Sequence, residues 1–284
     1  MTLGVIDIPF DPVFHIGIIP VHWYGIGYVV AFMVGLWIAF RHARRHGIPD
    51  GDMQNLAFWG IILGLISARL YYDFQSGAGY YLTHPQYLLA FWQGGMAYFG
   101  ALLVVPIFFF LYARRRGLRF WVLADCGALF AAAGQPIGRI GNIINGDILG
   151  YPSNLPWATA YTNPNTFAPR VGVAYQPAGA YELLIGICIL LIILGVRRYL
   201  RLRPGGLIVL YAALYSVSQF GIFFIRANSV TLFGLKQAQL SSLFTLVVLV
   251  PITWWWYRTS KADDGRKDGA EAGALAGVEA AEQS

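Results

Sequence analysis

Four polar side chains lie close together in residues 138–150 of this chain, and they are candidates for a functional site. A guanidinium, two amides and a carboxylate follow one another as Arg139, Asn142, Asn145 and Asp147. The first three are three residues apart, so they share one side of a helix if the helix continues. Guanidinium groups recognise phosphate by paired hydrogen bonds. The stretch therefore predicts an anion-binding site, and the alternative is a helix–helix contact anchored by Arg139.

Glycines leave the same stretch without bulky side chains. Gly134, Gly138 and Gly141 leave the neighbourhood of Arg139 without side chains, so that backbone or a ligand can approach closely. Polar groups at the end of a membrane-length apolar segment are costly unless they are paired or hydrated, which makes them functional candidates. We therefore expect Gly138, Gly141 and Gly150 to contribute to a substrate site.

The composition indicates a membrane protein with several spans. The chain has 284 residues, a mean hydropathy of +0.55, 57% hydrophobic residues and only 12% charged residues. Its net charge of +6 would suggest nucleic-acid binding in a soluble protein, but the charges lie in short loops between apolar segments, so we expect no nucleic-acid partner.

Cys126 and Cys188 lie inside apolar segments without metal-ligand spacing, which predicts packing roles and neither a metal site nor a cofactor.

Seven apolar segments are each long enough to cross about 30 Å of hydrocarbon. They lie at residues 23–40, 54–72, 87–112, 120–141, 178–196, 206–225 and 239–257. The predicted fold class is all-α, a polytopic membrane domain of seven transmembrane helices over residues 1–258, with a Pro- and Asn-rich outer loop at 146–176. Residues 259–284 are rich in Ala, Gly and charge, which predicts a disordered cytoplasmic tail.

The basic residues predict the orientation of these spans. Fifteen of the 20 lysines and arginines follow spans one, three, five and seven, on alternate sides of the predicted membrane domain. The positive-inside rule then puts the N-terminus outside and the C-terminus in the cytoplasm. No removable signal peptide is expected before the first span. The seventh span has no lysine that could form a Schiff base, which excludes a retinal protein.

Three of the remaining arginines could meet on the outer side. Arg69, Arg139 and Arg226 close spans two, four and six, whose ends lie on the same side of the membrane. They could converge on the phosphate of an anionic lipid headgroup. The alternative is that each arginine pairs with a carboxylate or reaches the headgroups by itself. Glu182, early in span five, is either such a partner for Arg139 or a charge at a helix start.

Two residues are candidates for proton transfer. Asp147 follows the arginine and the amides, where it could orient Arg139 or accept a proton from a nucleophile. Tyr24 opens span one together with His22 and Trp23, and an interfacial aromatic belt explains these three residues as well as a site does.

The stretch 138–150 resembles the sequence hallmark of the bacterial prolipoprotein diacylglyceryl transferases, in which an arginine, two asparagines and an acidic residue follow in the same order and spacing. Ile143 replaces a phenylalanine of that hallmark, and Asp147 replaces a glutamate. The resemblance covers nearly the whole chain and is also carried by Phe10-Asp11-Pro12-Val13, Trp23-Tyr24-Gly25, Arg69, Gly94-Gly95-Met96, Pro177, Tyr181-Glu182 and Arg226. Seven helices with an outer N-terminus are also the topology of that family.

The resemblance implies a multi-pass enzyme of the bacterial cytoplasmic (inner) membrane that performs the first step of lipoprotein maturation. Such an enzyme transfers the diacylglyceryl group of phosphatidylglycerol, a membrane lipid, to the thiol of the lipobox cysteine in a prolipoprotein signal peptide. The thiol needs a base, for which Asp147 and Tyr24 are the candidates. Arg139 is expected to hold the phosphate, supported by Asn142 and Asn145. The other residues expected to bind substrate are Arg69, Glu182, Tyr215, Gln219 and Arg226.

Several positions depart from the family pattern. Phe99 stands where the family has a histidine proposed as catalytic. Gln219 and Phe223 stand where span six of the family has an arginine and a glutamate, while Tyr215 is kept. Two functions therefore remain open at this point. The chain is either an active transferase or a catalytically degenerate paralogue that binds anionic phospholipid or acts as an accessory membrane protein.

Overall fold

The structure, a computed structural model, describes residues 5–90, 95–200 and 202–282, with residues 260–282 described by their backbone alone. The α-helices in this part of the chain are α1 (Trp23–Arg45), α2 (Asp50–Thr83), α3 (Tyr98–Arg116), α4 (Phe120–Asn145), α5 (Ala178–Tyr199), α6 (Gly206–Ile222) and α7 (Gln237–Glu282). Within the described residues, five helices are long and apolar enough to cross a membrane, and α6 is a shorter apolar helix. A mostly helical chain with several such helices confirms the coarse prediction, while the count of seven spans and their orientation stay predictions.

The third helix begins later than predicted. The sequence predicts one span over 87–112, but α3 starts at Tyr98. Pro85–Tyr87 forms a short 3₁₀-helix instead, and Gly95 adopts a left-handed conformation (φ 76°) that an α-helix does not contain. α2 in turn continues past its predicted end at 72, with a break at Gly77 (φ 141°, ψ 75°).

The C-terminal helix runs past the end of the predicted seventh span, and the disorder of the tail stays a prediction. The backbone of α7 is helical from Gln237 to Glu282, which includes most of the segment 259–284 whose composition predicts disorder. The part of α7 that is fit to span a membrane ends at Thr259. Alanine recurs throughout the following residues, and its high helix propensity favours a helix there even without an apolar face.

Short strands in the connecting segments are absent from the all-α prediction. They are β1 (Ile6–Ile8), β2 (Val13–Ile16), β3 (Ile19–His22), β4 (Thr159–Tyr161), β5 (Ala174–Tyr175), β6 (Val230–Leu232) and β7 (Leu235–Lys236). β1, β4 and β5 form one small sheet in which β1 runs parallel to β4, and the other strands form two hairpins that lead directly into α1 and α7. The small sheet orders the loop after α4, where Leu149, Tyr161 and Tyr175 are buried together.

Two compact units make up the chain. The first unit comprises Met1–Ile38 and Gly127–Ser284, and the second unit comprises Ala39–Cys126. In the first unit α4, α5 and α6 share an apolar core, and α6 also packs against α7. In the second unit α2 and α3 pack so closely that a side chain at Gly100 would overlap the backbone of Ser67.

A glycine determines where α4 ends. Asn145 is the last helical residue, and Gly146 follows in the left-handed conformation (φ 75°), with its N–H bonded to the Asn142 carbonyl at 2.9 Å. α4 therefore extends beyond its predicted end at 141. Arg139, Asn142 and Asn145 lie on one continuous helix, as a shared face requires.

Candidate functional site

Two arginines and one buried glutamate form the centre of the candidate site in the first unit, and we call these three residues the arginine centre. Arg139 lies near the end of α4, Glu182 near the start of α5 and Arg226 just after α6. Nη2 of Arg139 is 2.5 Å from Oε2 of Glu182, and Nη1 of Arg226 donates to Oε1 of the same carboxylate at 3.1 Å. The Glu182 side chain is 1% exposed, whereas those of Arg139 and Arg226 are 19% and 15% exposed. One carboxylate therefore holds two guanidinium groups, which favours the alternative in which Glu182 is a partner for Arg139. Its contact with substrate stays a prediction.

An amide and a second carboxylate extend this network along the end of α4. Nη1 of Arg139 donates to Oδ1 of Asn142 at 3.4 Å, and Nδ2 of Asn142 donates to both carboxylate oxygens of Asp147 at 3.2 Å. The hydrogen bonds thus link Asp147 to Arg139 through the amide of Asn142. Asp147 lies in the arginine–amide cluster as the sequence predicts, and its role as a base stays a prediction.

Tyr24 meets this cluster from α1. Its main chain lies against Gly141, where an added Cβ would be 3.1 Å from the Tyr24 Cα. Its ring centre is 4.5 Å from that of Tyr28, and the charges of Asp147 and Arg139 both act on its hydroxyl. Both candidate bases, Tyr24 and Asp147, therefore belong to one electrostatic neighbourhood with Arg139.

Two of the three glycines predicted at the substrate site, Gly141 and Gly150, make close backbone contacts. A Cβ at Gly138 would touch an aromatic ring of α1 at 3.7 Å, and Gly141 faces the same helix. A Cβ at Gly150 would lie 2.8 Å from Cβ of Gln176 and 2.9 Å from the carbonyl oxygen of Ile225, closer than real atoms approach. Close packing against backbone accounts for Gly141 and Gly150, whereas the contact at Gly138 is an ordinary one with a side chain. Their contact with substrate stays a prediction.

A narrow cavity lies beside the arginine centre. Arg139 and Glu182 line it together with Tyr215, Ser218 and Gln219. The structure thus brings Tyr215 and Gln219, which the sequence predicts as substrate-binding residues, to the same cavity as the ion pair. Its volume of about 10 Å³ is room for about one water molecule, so the arginine centre is closed around Glu182.

Among the described residues, two buried polar atoms of candidate site residues have neither a hydrogen bond nor an ion pair. They are Nε of Arg226 and Oδ1 of Asn145. Buried polar atoms are normally hydrogen-bonded, so each such exception calls for an explanation. The Arg226 guanidinium also stacks on the ring of Phe223, 4.5 Å from its centre. A donor and an acceptor left over at one site suit a ligand with anionic oxygens and hydroxyl groups.

Arg69 has a different setting in the second unit. Its side chain is 1% exposed, and its Nε lies 3.2 Å from Oδ1 of Asp73. Its Nη1 and Nη2 atoms donate to the carbonyls of Gly95 and Tyr87, both at 3.1 Å. These contacts favour the alternative in which an arginine pairs with a carboxylate, and the same pairing occurs in the arginine centre. The convergence of Arg69 with the other two arginines on one phosphate stays a prediction.

Sequence reasoning missed Asp73 and the role of Lys236. Asp73 stands four residues after Arg69, a spacing that brings two side chains together on a helix and could have revealed the pair. Lys236 lies outside the pattern of basic residues that predicts the orientation, which was the available signal. It is 5% exposed and donates to the carbonyls of Phe223 and Arg226.

Tyr161 holds the loop that follows α4. Its hydroxyl donates to the Ile143 carbonyl at 2.6 Å, and a Cβ at Gly146 would be 3.1 Å from its ring. Burial, with a smaller contribution from the Asp147 carboxylate, raises the pKa of Tyr161 to about 12. The hydroxyl therefore remains protonated and able to donate at physiological pH.

Comparison with known proteins identifies relatives of the chain. A sequence model of the family described as prolipoprotein diacylglyceryl transferase matches residues 11–256. A phosphatidylglycerol–prolipoprotein diacylglyceryl transferase of Geobacillus kaustophilus is 35% identical over 258 residues, which cover 89% of this chain and 94% of the relative. Proteins of the same name are 34% identical over 237 residues in Thermosynechococcus vestitus (82% and 87% covered) and 30% identical over 249 residues in Lactobacillus acidophilus (86% and 88% covered). The matched range includes every residue of the arginine centre.

Proposed function

Because the chain belongs to the prolipoprotein diacylglyceryl transferase family, we propose that it transfers the diacylglyceryl group of phosphatidylglycerol to the cysteine thiol of a bacterial prolipoprotein. The cysteine sulfur attacks the glyceryl carbon that carries the phosphate. A carbon–sulfur bond forms, the carbon–oxygen bond to the phosphate breaks, and glycerol phosphate leaves. A base on the enzyme takes the thiol proton.

The arginine centre is the observation that carries this proposal. Cations placed where negative charge develops on a leaving group lower the barrier to its departure, and guanidinium groups hold phosphate by paired hydrogen bonds. Arg139 and Arg226 approach the two oxygens of one carboxylate at 2.5 and 3.1 Å. A phosphodiester also presents two anionic oxygens, so it can take the place of the Glu182 carboxylate between the same two arginines.

Glu182 then acts as an internal substitute for the lipid anion. The cavity beside it is too small for a phosphate, so the headgroup enters as the glutamate gives up its ion pairs. Without such a partner, the two partly buried guanidinium groups would repel each other, and the protein keeps them at a fixed spacing by sharing one carboxylate. The unpartnered Nε of Arg226 adds a donor for a phosphate oxygen.

Asp147 is the base that we favour for the thiol proton. Its two oxygens accept hydrogen bonds from Asn142 at 3.2 Å, and each oxygen keeps capacity for a further bond. Tyr24 is the alternative base, because its main chain packs against Gly141 and its hydroxyl lies in the same electrostatic neighbourhood as Asp147 and Arg139. Asn145, with an unpartnered side-chain oxygen, suits a headgroup hydroxyl.

The reaction takes place at the outer face of the bacterial inner membrane. Seven spans place the N-terminus outside and the C-terminus in the cytoplasm, an orientation supported by the fifteen basic residues that follow the odd-numbered spans. In this orientation the end of α4, the start of α5 and the end of α6 lie on the outer side. The lipid and the signal peptide with its lipobox cysteine both reach the site sideways between helices.

Two observations favour a second function, lipid binding without transfer. Phe99, which takes the place of the proposed family histidine, packs beside Tyr71 with ring centres 6.2 Å apart and cannot move a proton. Phe223, which takes the place of a family glutamate, stacks on Arg226. A chain that kept the arginine centre and lost the chemistry would still bind an anionic phospholipid.

Complementation distinguishes the two functions. A strain depleted of its own transferase receives the wild-type chain, Arg139→Ala or Arg170→Ala, where Arg170 is exposed in the loop after α4. Transfer predicts growth with the wild type and with Arg170→Ala, and no growth with Arg139→Ala. Lipid binding without transfer predicts no growth with any of the three, despite normal amounts in the membrane and retained binding of phosphatidylglycerol.

A further inference from the structure

Lys236 is a buried lysine that the proposed reaction does not use. It is the last residue of β7, immediately before α7, and it is 5% exposed. A lysine is rarely buried to this extent unless its ammonium is paired. Here the ammonium donates to the carbonyl of Phe223 at 2.6 Å and to the carbonyl of Arg226 at 2.5 Å.

The two carbonyls belong to the turn that ends α6. The helix itself ends at Ile222, and Arg226 lies in the turn that follows. The last carbonyls of a helix lack helical partners and carry partial negative charge, so a cation at this end is stabilising. The ammonium also faces the ring of Tyr151, 4.9 Å from its centre. Lys236 is therefore a side-chain cap on the turn that carries Arg226.

Gln239 reinforces this contact from the first turn of α7. Its side-chain oxygen accepts the N–H of Lys236 at 3.0 Å, and its amide donates to the carbonyl of Phe220 at 3.2 Å. The residue is 1% exposed. The start of α7 thus binds three carbonyls around the end of α6, those of Phe220, Phe223 and Arg226.

The loop after α4 is bonded to the same turn. The N–H of Ala227 donates to the carbonyl of Leu149, and the N–H of Tyr151 donates to the carbonyl of Ile225, both at 3.2 Å. These bonds lie on either side of Arg226. Its main chain is therefore held both by the loop that follows the end of α4 and by the start of α7.

We propose that Lys236 is a positioning residue for the lipid phosphate, an inference that rests on the transfer function proposed above. Its ammonium fixes the main chain of Arg226 and so sets where the guanidinium meets Glu182 and, in its place, the phosphate. Methionine has a similar length but no donor, so Lys236→Met leaves two buried carbonyls unpaired and frees the turn to shift. A shift of about 1 Å in a positioned group can cost about a hundredfold in rate.

The test compares full-length variants in nanodiscs, with phosphatidylglycerol and a lipobox peptide as substrates. Lys236→Met is expected to raise KM for phosphatidylglycerol and to lower kcat/KM by about 10- to 100-fold. Lys236→Arg should recover most of this loss, because a guanidinium can donate to the same carbonyls. Arg170→Met removes an exposed cation from the outer loop and should leave both constants unchanged.

A double-mutant cycle separates positioning from general destabilisation. If Lys236 acts through Arg226, then Lys236→Met has little further effect in a protein that already carries Arg226→Gln. Equal fold losses in both backgrounds would overturn the proposal. If Lys236→Met does not accumulate as folded protein, Gln239→Leu takes its place in the cycle, since it removes the bonds to Lys236 and Phe220 and leaves the ammonium present.

A binding measurement keeps this inference separate from the transfer function. Phosphatidylglycerol added to nanodiscs of phosphatidylcholine should raise the melting temperature of the wild type, and Lys236→Met should lose most of that shift. If the wild type shows the shift but no transfer, the transfer function fails and the positioning role stands. Equal shifts in the wild type and in Lys236→Met overturn the positioning role, whatever the activity.

Discussion

The arginine centre of the first unit and Arg69 in the second unit both place a guanidinium against a carboxylate, but their hydrogen bonds are distributed differently. Arg69 binds Asp73 alone, directs both Nη atoms to backbone carbonyls and is 1% exposed. In the arginine centre, two arginines share Glu182, and their side chains are 19% and 15% exposed. Buried side-chain atoms without a hydrogen bond occur at both sites, among them Nε of Arg226 and both carboxylate oxygens of Asp73. The two sites therefore differ in exposure and in how many arginines share the carboxylate.

This difference separates a structural arginine from one that can take a ligand. All three nitrogens of Arg69 are engaged, and its bonds to Tyr87 and Gly95 connect α2 to the segment before α3. An anion could bind Arg69 only if those bonds broke. In the arginine centre a shared carboxylate can be exchanged for another anion, and Nε of Arg226 has no partner within the described part of the chain. Guanidinium groups with spare donors are the ones suited to phosphate.

The largest expected effect comes from removing the two carboxylates. Glu182→Gln leaves two partly buried guanidinium groups without a counter-charge, and Asp73→Asn leaves one that is fully buried. Breaking a buried ion pair by removing one partner costs about 3–5 kcal/mol of stability. We expect both variants to lose stability on this scale, measured as melting temperature in nanodiscs of phosphatidylcholine, and Glu182→Gln also to lose transfer.

Anionic lipid should distinguish these two variants. Phosphatidylglycerol can replace the missing charge between Arg139 and Arg226, so it should restore much of the melting temperature of Glu182→Gln. The same lipid should do little for Asp73→Asn, where Arg69 is enclosed by backbone carbonyls. Equal recovery of both variants would contradict the distinction between a ligand-binding arginine site and a structural one.

The next effect comes from exchanging the fork of an arginine for the single ammonium of a lysine. Arg139→Lys keeps a charge beside Glu182 but loses bidentate binding, so transfer should fall by about 10²- to 10³-fold with little change in stability. Arg69→Lys has its donors on a single nitrogen, which cannot reach Asp73 and the two carbonyls from the positions of three guanidinium nitrogens, and it should lose about 3 kcal/mol of stability. Rates with a lipobox peptide and melting temperatures measure both. If Arg69→Lys lost more transfer than Arg139→Lys for the same loss of melting temperature, Arg69 would be the ligand-binding arginine and Arg139 the structural one.

The sequence predicts the composition of the arginine centre well, because much of it is local. The three-residue steps from Arg139 place the amides on one side of α4, and Glu182 is among the few carboxylates near the spans. The sharing of Glu182 by Arg226 could not be predicted in this way. It depends on how α4, α5 and the end of α6 pack in three dimensions, and no spacing along the chain encodes that contact.

The second unit shows what hydropathy alone misses. The apolar pattern continues through 87–112, so it conceals the non-helical segment that ends before Tyr98. Hydropathy indicates which residues avoid water, but it does not indicate their backbone conformation. The left-handed conformation of Gly95 therefore cannot be predicted from a hydropathy profile. Asp73, in contrast, could have been predicted from its distance along the helix to Arg69.

A smaller effect is expected from the amide that connects Arg139 to Asp147, a connection that Arg69 lacks. Asn142→Leu removes its side-chain hydrogen bonds to Arg139 and to Asp147 while Glu182 still holds the arginine. A hydrogen bond to a charged group contributes about 1.5–3 kcal/mol, so transfer should fall at least about tenfold. Asn165→Leu is the matched control, since it breaks an exposed amide–carboxylate bond to Asp11 at 2.9 Å and should leave the rate unchanged.

The smallest expected effect concerns Tyr161, which secures the end of α4 in the first unit as Arg69 secures the segment before α3 in the second. Tyr161→Phe removes the bond to the Ile143 carbonyl and should cost about 1 kcal/mol. The raised pKa of Tyr161, about 12, keeps the phenol neutral in the folded state while an unfolded tyrosine ionises near pH 10. Its contribution is therefore complete below about pH 10 and is lost between about pH 10 and 12. As the pH rises through this range, the melting temperature should fall less steeply for Tyr161→Phe than for the wild type. Tyr199→Phe, at a residue that is 78% exposed, should follow the wild type.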